Sequence, residues 1–343
     1  MAGKIYITGD CHGDFRKFNT HRFPIQRELD KEDYLIICGD FGGIWNQGWE
    51  SGNENYWLTW LDEKPYTTLF VDGNHENFKR LKKYPVKEWK GGLVHEIRPS
   101  VLHLMRGYVF ELAGKKIFAF GGACSHDIEG GVLDPKALDF AQKKKELNKE
   151  YKSYRIKNIS WWEEELPSDK EYTLASQNLA QNNLKIDYVI SHCCASSTQN
   201  QFNKTGEYKA NALTNYFDEI KNNCEFERWY FGHYHEDRII SDREVVLYDQ
   251  IVEIGKAPVE KNSIVGCPKY KREDWVDFIY ELKHGDVRLE GKISGVDAYG
   301  TFFVLNEPCY DILVTLDGEN ILFKHVKEIN ILGYKKSNGT GDL

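Results

Sequence analysis

The stretch IYITGDCHGDF (residues 5–15) joins a short apolar run directly to Asp10, His12 and Asp14. Its first four residues are β-branched or aromatic, which is typical of a buried strand. Two carboxylates and an imidazole at the tip of a buried strand lose hydration free energy unless another group uses them. The stretch therefore predicts a strand that delivers polar side chains to a functional site.

Further short apolar runs follow along the chain, and each ends in glycine or polar residues. Together with the first, they are KIYIT (4–8), YLIIC (34–38), TLFV (68–71), KIFAF (116–120), DYVIS (187–191) and RWYF (228–231). Such short runs favour strands over helical turns. Stretches long enough for a helix lie between several of them, such as residues 16–29 and 173–183. Strands separated by helical stretches predict an α/β layered domain.

Most of these runs are followed by residues that can ligate a metal ion. The clusters are Asp10-Cys11-His12, Gly39-Asp40, Asp72-Gly73-Asn74-His75-Glu76, Ser191-His192 and Gly232-His233-Tyr234-His235. In open α/β sheets, binding sites form beyond the carboxyl ends of strands, where all of these clusters lie. Carboxylate, amide and imidazole groups together suit a pair of divalent cations. A structural hydrogen bond would explain any single cluster more simply, but the complete series favours a metal site.

The series of clusters resembles the calcineurin-like metallophosphoesterase superfamily over roughly residues 1–255. The phrases FGGIW (41–45), FVDGNHENF (70–78), FGGACSHD (120–127) and WWEEELPS (161–168) are similar to a bacterial and phage subgroup of it. The resemblance implies an α/β fold in which a β-sandwich is flanked by helices in four layers. It also implies a dinuclear metal site at one edge of the sandwich.

The resemblance also implies roles for individual residues. The first metal would be held by Asp10, His12, Asp40 and His235, and the second by Asp40, Asn74, His192 and His233. Two divalent ions are expected, with manganese first and iron, zinc, nickel or magnesium as alternatives. A hydroxide that bridges the metals would attack phosphorus in line, and His75 would protonate the leaving oxygen. Gly43 departs from the pattern, because many members carry Asp or Asn there.

Other polar residues have two interpretations each. Asp14 could orient a site histidine or cap a helix that starts at Phe15. Arg106 and Arg155 could bind phosphate or serve structural roles. Cys11 is predicted to point away from the site. The lysine-rich segment 134–157 predicts an exposed helix, and a solvated face is favoured over a phosphate-binding surface.

The chain is predicted to consist of a metallophosphoesterase domain and a small second domain. The first domain covers residues 1–275 with a linker from about residue 256, and a disordered tail covers residues 335–343. Residues 276–334 alternate in short segments typical of a small antiparallel barrel. LKHGDVRLEGKISGVDAYGTFFVL and ILFKHVKEINI within them resemble the Sm-like fold of Hfq-type RNA chaperones.

The Sm-like resemblance implies that Lys324 and His325 contact RNA and that the domain forms rings. The residues from Asp277 onward count against RNA, because they carry seven Lys or Arg and eleven Asp or Glu, a net charge of 7 − 11 = −4. Self-association or substrate gating is therefore favoured over RNA binding as the role of this domain.

Composition narrows the functional classes further. The net charge of −8 argues against a generally basic nucleic-acid-binding surface. No apolar run is long enough to cross a membrane, and the sequence shows no secretory signal. The eight cysteines form no C-x-x-C pair. A cytoplasmic protein is therefore expected. The favoured function is metal-dependent hydrolysis of a phosphoester. The alternatives are an RNA-processing nuclease and a non-catalytic binding protein.

Overall fold

The computed structural model of the chain describes residues 3–126, 128–201, 208–258, 268–282, 285–297, 308–316 and 318–335. The chain divides into two compact units, the first formed by residues 1–126 and 156–260 and the second by residues 127–155 and 261–343. Part of the predicted linker (259–267) and nearly all of the predicted disordered tail (336–343) lie outside the described residues. The domain limits given above stay predictions.

The secondary structure alternates strands with helices in the first unit and is mostly strand in the second. The strands are β1 (Ile5–Thr8), β2 (Tyr34–Ile37), β3 (Thr67–Phe70), β4 (Val86–Trp89), β5 (Gly92–Arg98), β6 (Val101–Leu104), β7 (Tyr108–Leu112), β8 (Lys115–Phe120), β9 (Val132–Leu133), β10 (Arg155–Ile156), β11 (Tyr188–Ser191), β12 (Arg228–Phe231), β13 (Arg238–Ser241), β14 (Glu244–Val246), β15 (Val252–Glu253), β16 (Trp275–Leu282), β17 (Gly285–Asp297), β18 (Cys309–Leu316), β19 (Glu319–Lys327) and β20 (Ile331–Tyr334). The α-helices are α1 (Gly52–Asp62), α2 (Phe78–Leu81), α3 (Phe140–Lys149), α4 (Asp169–Gln181), α5 (Ser196–Gln199) and α6 (Ala212–Asn223).

Two sheets stack in the first unit. One has the order β15-β1-β2-β3-β6-β5-β4 and the other the order β13-β14-β12-β11-β8-β7. Strands β1, β2 and β3 are parallel, as are β8, β11 and β12. Alternate residues of both sheets, such as Ile7 and Ile36 from one and Ile117 and Ile190 from the other, share a single buried core. The six predicted strands are thus all present, and they lie at the centre of the two sheets.

Helices cover the outer faces of both sheets, which completes four layers. The outward residues of β2 and β3, such as Leu35 and Phe70, pack with Leu58 of α1. On the other sheet, Phe118 packs with Leu179 of α4 and Phe217 of α6. This alternation of apolar residues between two cores explains why the strands are apolar throughout, since both faces of each strand are buried.

The prediction of a helix over residues 16–29 was wrong. The segment forms two short 3-10 helices, Arg16–Phe18 and Pro24–Glu28. The Asn19 side chain accepts the amides of His21 and Arg22 at 2.9 Å, which holds a turn between them. Pro24 also has no amide to donate in a continuous helix. By contrast, α4 begins four residues before the expected Thr173, because Ser168 and Glu171 form a capping box.

The second unit contains a five-stranded antiparallel sheet with the order β19-β18-β17-β16-β20. Its buried core includes Val276, Phe278, Ile293 and Ile312. In the part of the chain that the structure describes, the edge strands β19 and β20 do not pair with each other. The described residues therefore form an open antiparallel sheet, and the predicted barrel is not confirmed. Helix α3 and strand β9 belong to the same unit.

Within the described ranges, no helix is both long enough and apolar enough to cross a membrane.

Candidate metal centre

The polar clusters meet where the parallel strands of the first unit end. The loops that follow β1, β2, β3, β11 and β12 carry these clusters. Two glycines allow the loops to approach each other closely. A Cβ atom at Gly73 would lie 2.1 Å from Asp40 Oδ1, and a Cβ atom at Gly232 would lie 2.1 Å from Asp10 Oδ1. Any larger residue at either position would displace a carboxylate of the site.

One group of ligand atoms is formed by Asp10, His12 and His235. The Nε2 atoms of the two histidines are 3.0 Å apart. Asp10 Oδ2 lies 3.2 Å from Nε2 of His235 and 3.7 Å from Nε2 of His12. This oxygen is buried and accepts no hydrogen bond from the described residues. A buried carboxylate oxygen that faces two imidazole nitrogens fits a divalent cation.

Asp40 connects this group to the other candidate ligands. Its Oδ2 lies 3.7 Å from Nδ1 of His12, while its Oδ1 lies 3.2 Å from Nε2 of His192. Burial alone would raise the pKa of Asp40, but the neighbouring histidines outweigh burial and hold this pKa well below its usual range. Asp40 is therefore an anion whose two oxygens face two different sets of nitrogen atoms.

His192 follows β11 and is oriented by the backbone at Cys38, just beyond β2 in the other sheet. Its Nδ1 donates to the carbonyl of Cys38 at 2.8 Å, so Nε2 points toward the carboxylate of Asp40. Such a hydrogen bond from the other ring nitrogen is the usual support of a metal-ligating histidine. Burial lowers the pKa of His192, but Asp40 and Asp10 outweigh it and raise this pKa to about 9.

Asn74 is held with its amide oxygen toward His192. Its Oδ1 lies 3.3 Å from Nε2 of His192, and its Nδ2 donates to Ser125 Oγ at 3.4 Å. Ser125 in turn donates to the buried carboxylate of Glu165 at 2.7 Å. This chain of hydrogen bonds fixes which end of the Asn74 amide faces the site. Ser125 lies in the segment FGGACSHD and Glu165 in the segment WWEEELPS. Both segments were noted in the sequence, but no role was predicted for either residue.

We expect Ser125→Ala to weaken binding of Mn²⁺ by about 10- to 100-fold, the usual effect of removing a group that supports a ligand. The substitution leaves the Asn74 amide free to rotate its oxygen away from the site. Isothermal titration calorimetry would measure the change. The matched control is Ser176→Ala, an exposed serine whose hydroxyl bonds only to nearby groups in the described part of the chain. Equal affinities of the two variants would contradict this support role.

His233 lies beside the cluster without belonging to one of the groups described above. Its amide donates to Asp10 Oδ1 at 2.9 Å, and its ring packs edge-on against His192 and His126. Burial first, and then the charge of His192, hold the pKa of His233 well below its usual value. His233 is therefore neutral, which is the form that binds metals.

Four of the candidate ligands have unusual backbone conformations. The φ angles are 48° at His12, 43° at Asp40, 70° at His233 and 52° at His235. Residues other than glycine rarely adopt this left-handed region, and each such residue stores on the order of 1 kcal/mol or more of strain. Such strain persists only where the surrounding structure imposes it, as it does in the loops that assemble this cluster.

His75 lies at the open side of the cluster. Its amide donates to Asp40 Oδ1 at 2.8 Å, and its Nε2 lies 4.0 Å from Asp40 Oδ2. The imidazole is partly exposed and packs near the ring of Trp45, with 5.7 Å between ring centroids. Trp45 packs edge-on against the buried Trp162. Trp45 and Trp162 belong to the sequence segments FGGIW and WWEEELPS, and their packing against each other could not be read from those segments.

The side chains of Asp14 and Arg106, two further predicted site residues, pair with residues outside this cluster. The Asp14 carboxylate pairs with Arg16 and accepts the Arg16 amide at 3.0 Å, which supports the start of a 3-10 helix. Arg106 is 6% exposed, and its Nε donates to Asp72 at 2.9 Å, so it supports the loop before Gly73. These contacts favour the structural role of Arg106 over phosphate binding.

The remaining candidates belong to the second unit. The amide of Arg155 donates to the carbonyl of Gly131 at 3.1 Å. Lys324 and His325 lie on β19, and the amide of His325 donates to Asp311 Oδ1 at 2.9 Å. Nothing in the described structure tests the proposed contacts of these residues with phosphate or RNA, which stay predictions.

Lys17 supports the backbone of the candidate metal centre, and nothing in the sequence distinguishes it from an ordinary lysine. Its ammonium is buried and donates to the carbonyls of Gly9 (3.0 Å), Asp10 (2.8 Å) and Tyr248 (2.8 Å). These bonds fix the backbone that carries Asp10.

We expect Lys17→Met to lower the free energy of unfolding by about 3 kcal/mol, because each of three buried carbonyls loses a donor worth about 1 kcal/mol. Urea denaturation with a chelator present would measure this. Lys79→Met is the matched control, since Lys79 is exposed. A loss no larger than that of the control would show that the three hydrogen bonds contribute nothing.

Comparisons with known proteins agree with this arrangement. A sequence model of the family described as calcineurin-like phosphoesterase matches residues 3–237. Lariat debranching enzyme A of Xenopus laevis is 28% identical over 144 residues, covering 38% of this chain and 26% of that protein. The lariat debranching enzyme of Homo sapiens is 26% identical over 144 residues, covering 38% of this chain and 25% of that protein. This chain thus matches only about a quarter of the length of these curated relatives. Because the family match covers well over half of the sequence, the chain belongs to the calcineurin-like phosphoesterase family.

Proposed function

We propose that this protein hydrolyses a phosphoester bond at a centre that holds two divalent metal ions. The observation that carries the proposal is the position of Asp40, a buried anion whose two oxygens face separate groups of ligand atoms. The residues that would hold the first ion are Asp10, His12, Asp40 and His235, and those that would hold the second are Asp40, Asn74, His192 and His233.

The chemistry divides between the ions and the chain. When bound, divalent ions supply Lewis acidity toward the phosphoryl group and a water nucleophile at neutral pH. The chain contributes His75, which lies beside Asp40 at the open side and is placed to give a proton to the leaving oxygen. Trp45 limits the movement of the His75 ring by packing near it. The buried carboxylates of Asp10 and Asp40 supply negative charge that attracts the cations.

The test is removal and return of metal. The chain is stripped with a chelator and assayed on aryl phosphomonoesters and phosphodiesters before and after adding Mn²⁺, Fe²⁺, Zn²⁺, Ni²⁺ or Mg²⁺. We expect no turnover without metal and the highest turnover with Mn²⁺. Full turnover after complete metal removal would overturn the proposal. A metal-loaded chain without turnover on any phosphoester would favour the alternative of a non-catalytic binding protein.

We expect the affinity for metal to rise with pH up to about 9. Without metal, the raised pKa of about 9 keeps His192 protonated at neutral pH, so an ion must displace that proton. Below pH 9 the logarithm of the affinity should increase by about one for each pH unit from this group alone. Calorimetric titrations with Mn²⁺ across neutral and weakly alkaline pH would measure the slope. An affinity independent of pH would contradict a protonated His192.

RNA is the second candidate substrate class, and the curated relatives favour it. The similar proteins carry the name lariat debranching enzyme, and a branched RNA phosphodiester is therefore a specific substrate to test. Cleavage of a lariat, of linear single-stranded RNA and of an aryl phosphodiester would be compared in Mn²⁺. Cleavage of the aryl substrate alone would reject the RNA-processing hypothesis and leave the phosphoesterase proposal intact.

The antiparallel sheet of the second unit is proposed to mediate self-association, with an Sm-like barrel as its expected form. Strand β17 is irregular between Ile293 and Gly295, and Gly291 lies where a Cβ atom would meet the Leu313 carbonyl at 2.6 Å, as in a strongly bent strand. Sedimentation of the chain would report its oligomeric state, and a monomer would reject this role.

We place the protein in the cytoplasm, an expectation supported by seven free cysteines among the described residues.

A further inference from the structure

The second unit contains a cleft beside helix α3 and the turn that joins β18 to β19. The cleft has a volume of about 500 Å³. The residues that matter for its chemistry are Phe140, Lys144, Lys145, Asn148, Lys149 and Tyr151. Phe140, Lys144 and Asn148 recur at intervals of four along α3, as do Lys145 and Lys149, so these residues lie on one side of the helix, and Tyr151 follows the helix end.

Among the described residues, two of the lysines that line the cleft form no ion pair. Lys144 pairs with Glu319, and Lys143 on another face of the helix pairs with Asp139 at 2.8 Å. Lys145 and Lys149 form no ion pair with any carboxylate that the structure describes. Like charges four residues apart on a helix repel each other and destabilise it. An anion bound between Lys145 and Lys149 would remove this repulsion.

Asn148 is a buried polar group with an unfilled acceptor. The residue is 7% exposed, and its Nδ2 donates to the carbonyl of Gly318. Its Oδ1 is buried and receives no hydrogen bond from the described residues. Such unfilled acceptors are rare in folded proteins and call for a donor. Because Asn148 lines the cleft, a ligand with a hydroxyl or amino group could supply that donor.

Tyr151 is held in the cleft by a strained backbone. It follows the helix with a φ of 52°, at a position where helices usually carry glycine. Its amide bonds to the Asn148 carbonyl at 3.1 Å, which closes the helix end, and its ring packs edge-on against Trp275 at 4.4 Å. Tyr151 lines the cleft beyond the last turn of α3, and Phe140 lines it at the first turn.

We propose that this cleft binds a short segment of single-stranded nucleic acid. Lys145 and Lys149 bind backbone phosphate, Tyr151 stacks a base, and Asn148 Oδ1 accepts a hydrogen bond from an exocyclic amine or a ribose hydroxyl. Stacked bases on aromatic rings beside phosphate-binding lysines are the general mode of single-strand recognition. A duplex hides its base faces and would not fit this set of groups. The proposal goes beyond hydrolysis, and the site stands whether or not the metal centre cleaves nucleic acid.

The experiment measures binding without cleavage. Fluorescence anisotropy of a labelled oligouridylate would be followed with the full-length chain and a chelator, with an oligothymidylate and an RNA duplex as competitors. The variant Lys145→Glu/Lys149→Glu is compared with Lys143→Glu/Lys152→Glu, which changes the net charge equally but outside the cleft. We expect the first variant to bind about 20-fold more weakly at about 0.1 M salt and to reduce the salt slope by about 1.4, as loss of two phosphate contacts implies.

Further measurements test the stacking role of Tyr151 and the preference of the cleft for single strands. Tyr151→Ala should weaken binding about 5- to 150-fold, as loss of one stacked base implies, with its melting curve recorded to confirm folding. Equal losses in the two lysine variants, equal binding of duplex and single strand, or no binding would each overturn the proposal. Hydrolysis of a small aryl phosphodiester by Lys145→Glu/Lys149→Glu should match the wild type, so a failure here is distinct from a failure of the proposed metal centre.

Discussion

Replacing Asp40 with alanine is expected to lower phosphoester hydrolysis by on the order of 10³-fold, at saturating metal. Asp40 supplies the carboxylate that faces both His12 and His192, so its loss removes a ligand from both proposed ions. The expected loss corresponds to about 4 kcal/mol of transition-state stabilisation at 1.36 kcal/mol for each factor of ten. Steady-state kinetics on an aryl phosphodiester, together with the metal content of the purified protein, would measure the effect.

Asp14→Ala is the matched control for this experiment. Asp14 is an exposed carboxylate near the same site, and it pairs with Arg16. We expect this variant to retain activity close to that of the wild type. Asp40→Asn, which can still accept the His75 amide, separates loss of charge from loss of that hydrogen bond. Wild-type activity in metal-loaded Asp40→Ala would remove the basis of the proposed function.

His75→Ala is expected to lower hydrolysis of alkyl phosphoesters by about 10²- to 10⁴-fold, the usual contribution of a general acid. The loss should be about tenfold or less for nitrophenyl esters, because a stable phenolate leaves without protonation. The ratio of the two losses therefore reports on proton donation specifically. Rates for a series of leaving groups with different pKa values would measure it.

His21→Ala controls for the loss of an imidazole, since His21 is exposed in the same unit. Its activity should not depend on the leaving group. Equal losses for alkyl and nitrophenyl esters in His75→Ala would show that His75 positions the substrate or the metals and does not protonate the leaving oxygen. That outcome would correct the role of His75 while leaving the metal centre in place.

The central strands of the first unit and the grouping of the polar clusters were predictable from the sequence. Runs such as YLIIC combine high strand propensity with glycine at the end, and parallel strands deliver their following residues to one edge. The structure accordingly brings together Asp10, His12, Asp40 and His192. What these residues bind stays a proposal.

The supporting groups could not be predicted in the same way. Lys17 donates to backbone carbonyls, one of them at Tyr248, which no side-chain pattern encodes. Ser125 and Glu165 meet across 40 positions of sequence. The helix over residues 16–29 was expected from the length of the segment alone, which does not reveal the turn held by Asn19. Local patterns identify elements, whereas contacts between distant residues depend on the whole fold.

The left-handed residues of the metal centre have a consequence for evolution. With four such positions, the stored strain reaches about 4 kcal/mol, a substantial part of the 5–15 kcal/mol by which a typical domain is stable. Glycine at any of the four would relax the backbone and remove a proposed metal ligand at once. Selection for catalysis must therefore continually oppose selection for robustness at these positions. In a lineage released from the first pressure, glycine should accumulate there before the buried core changes.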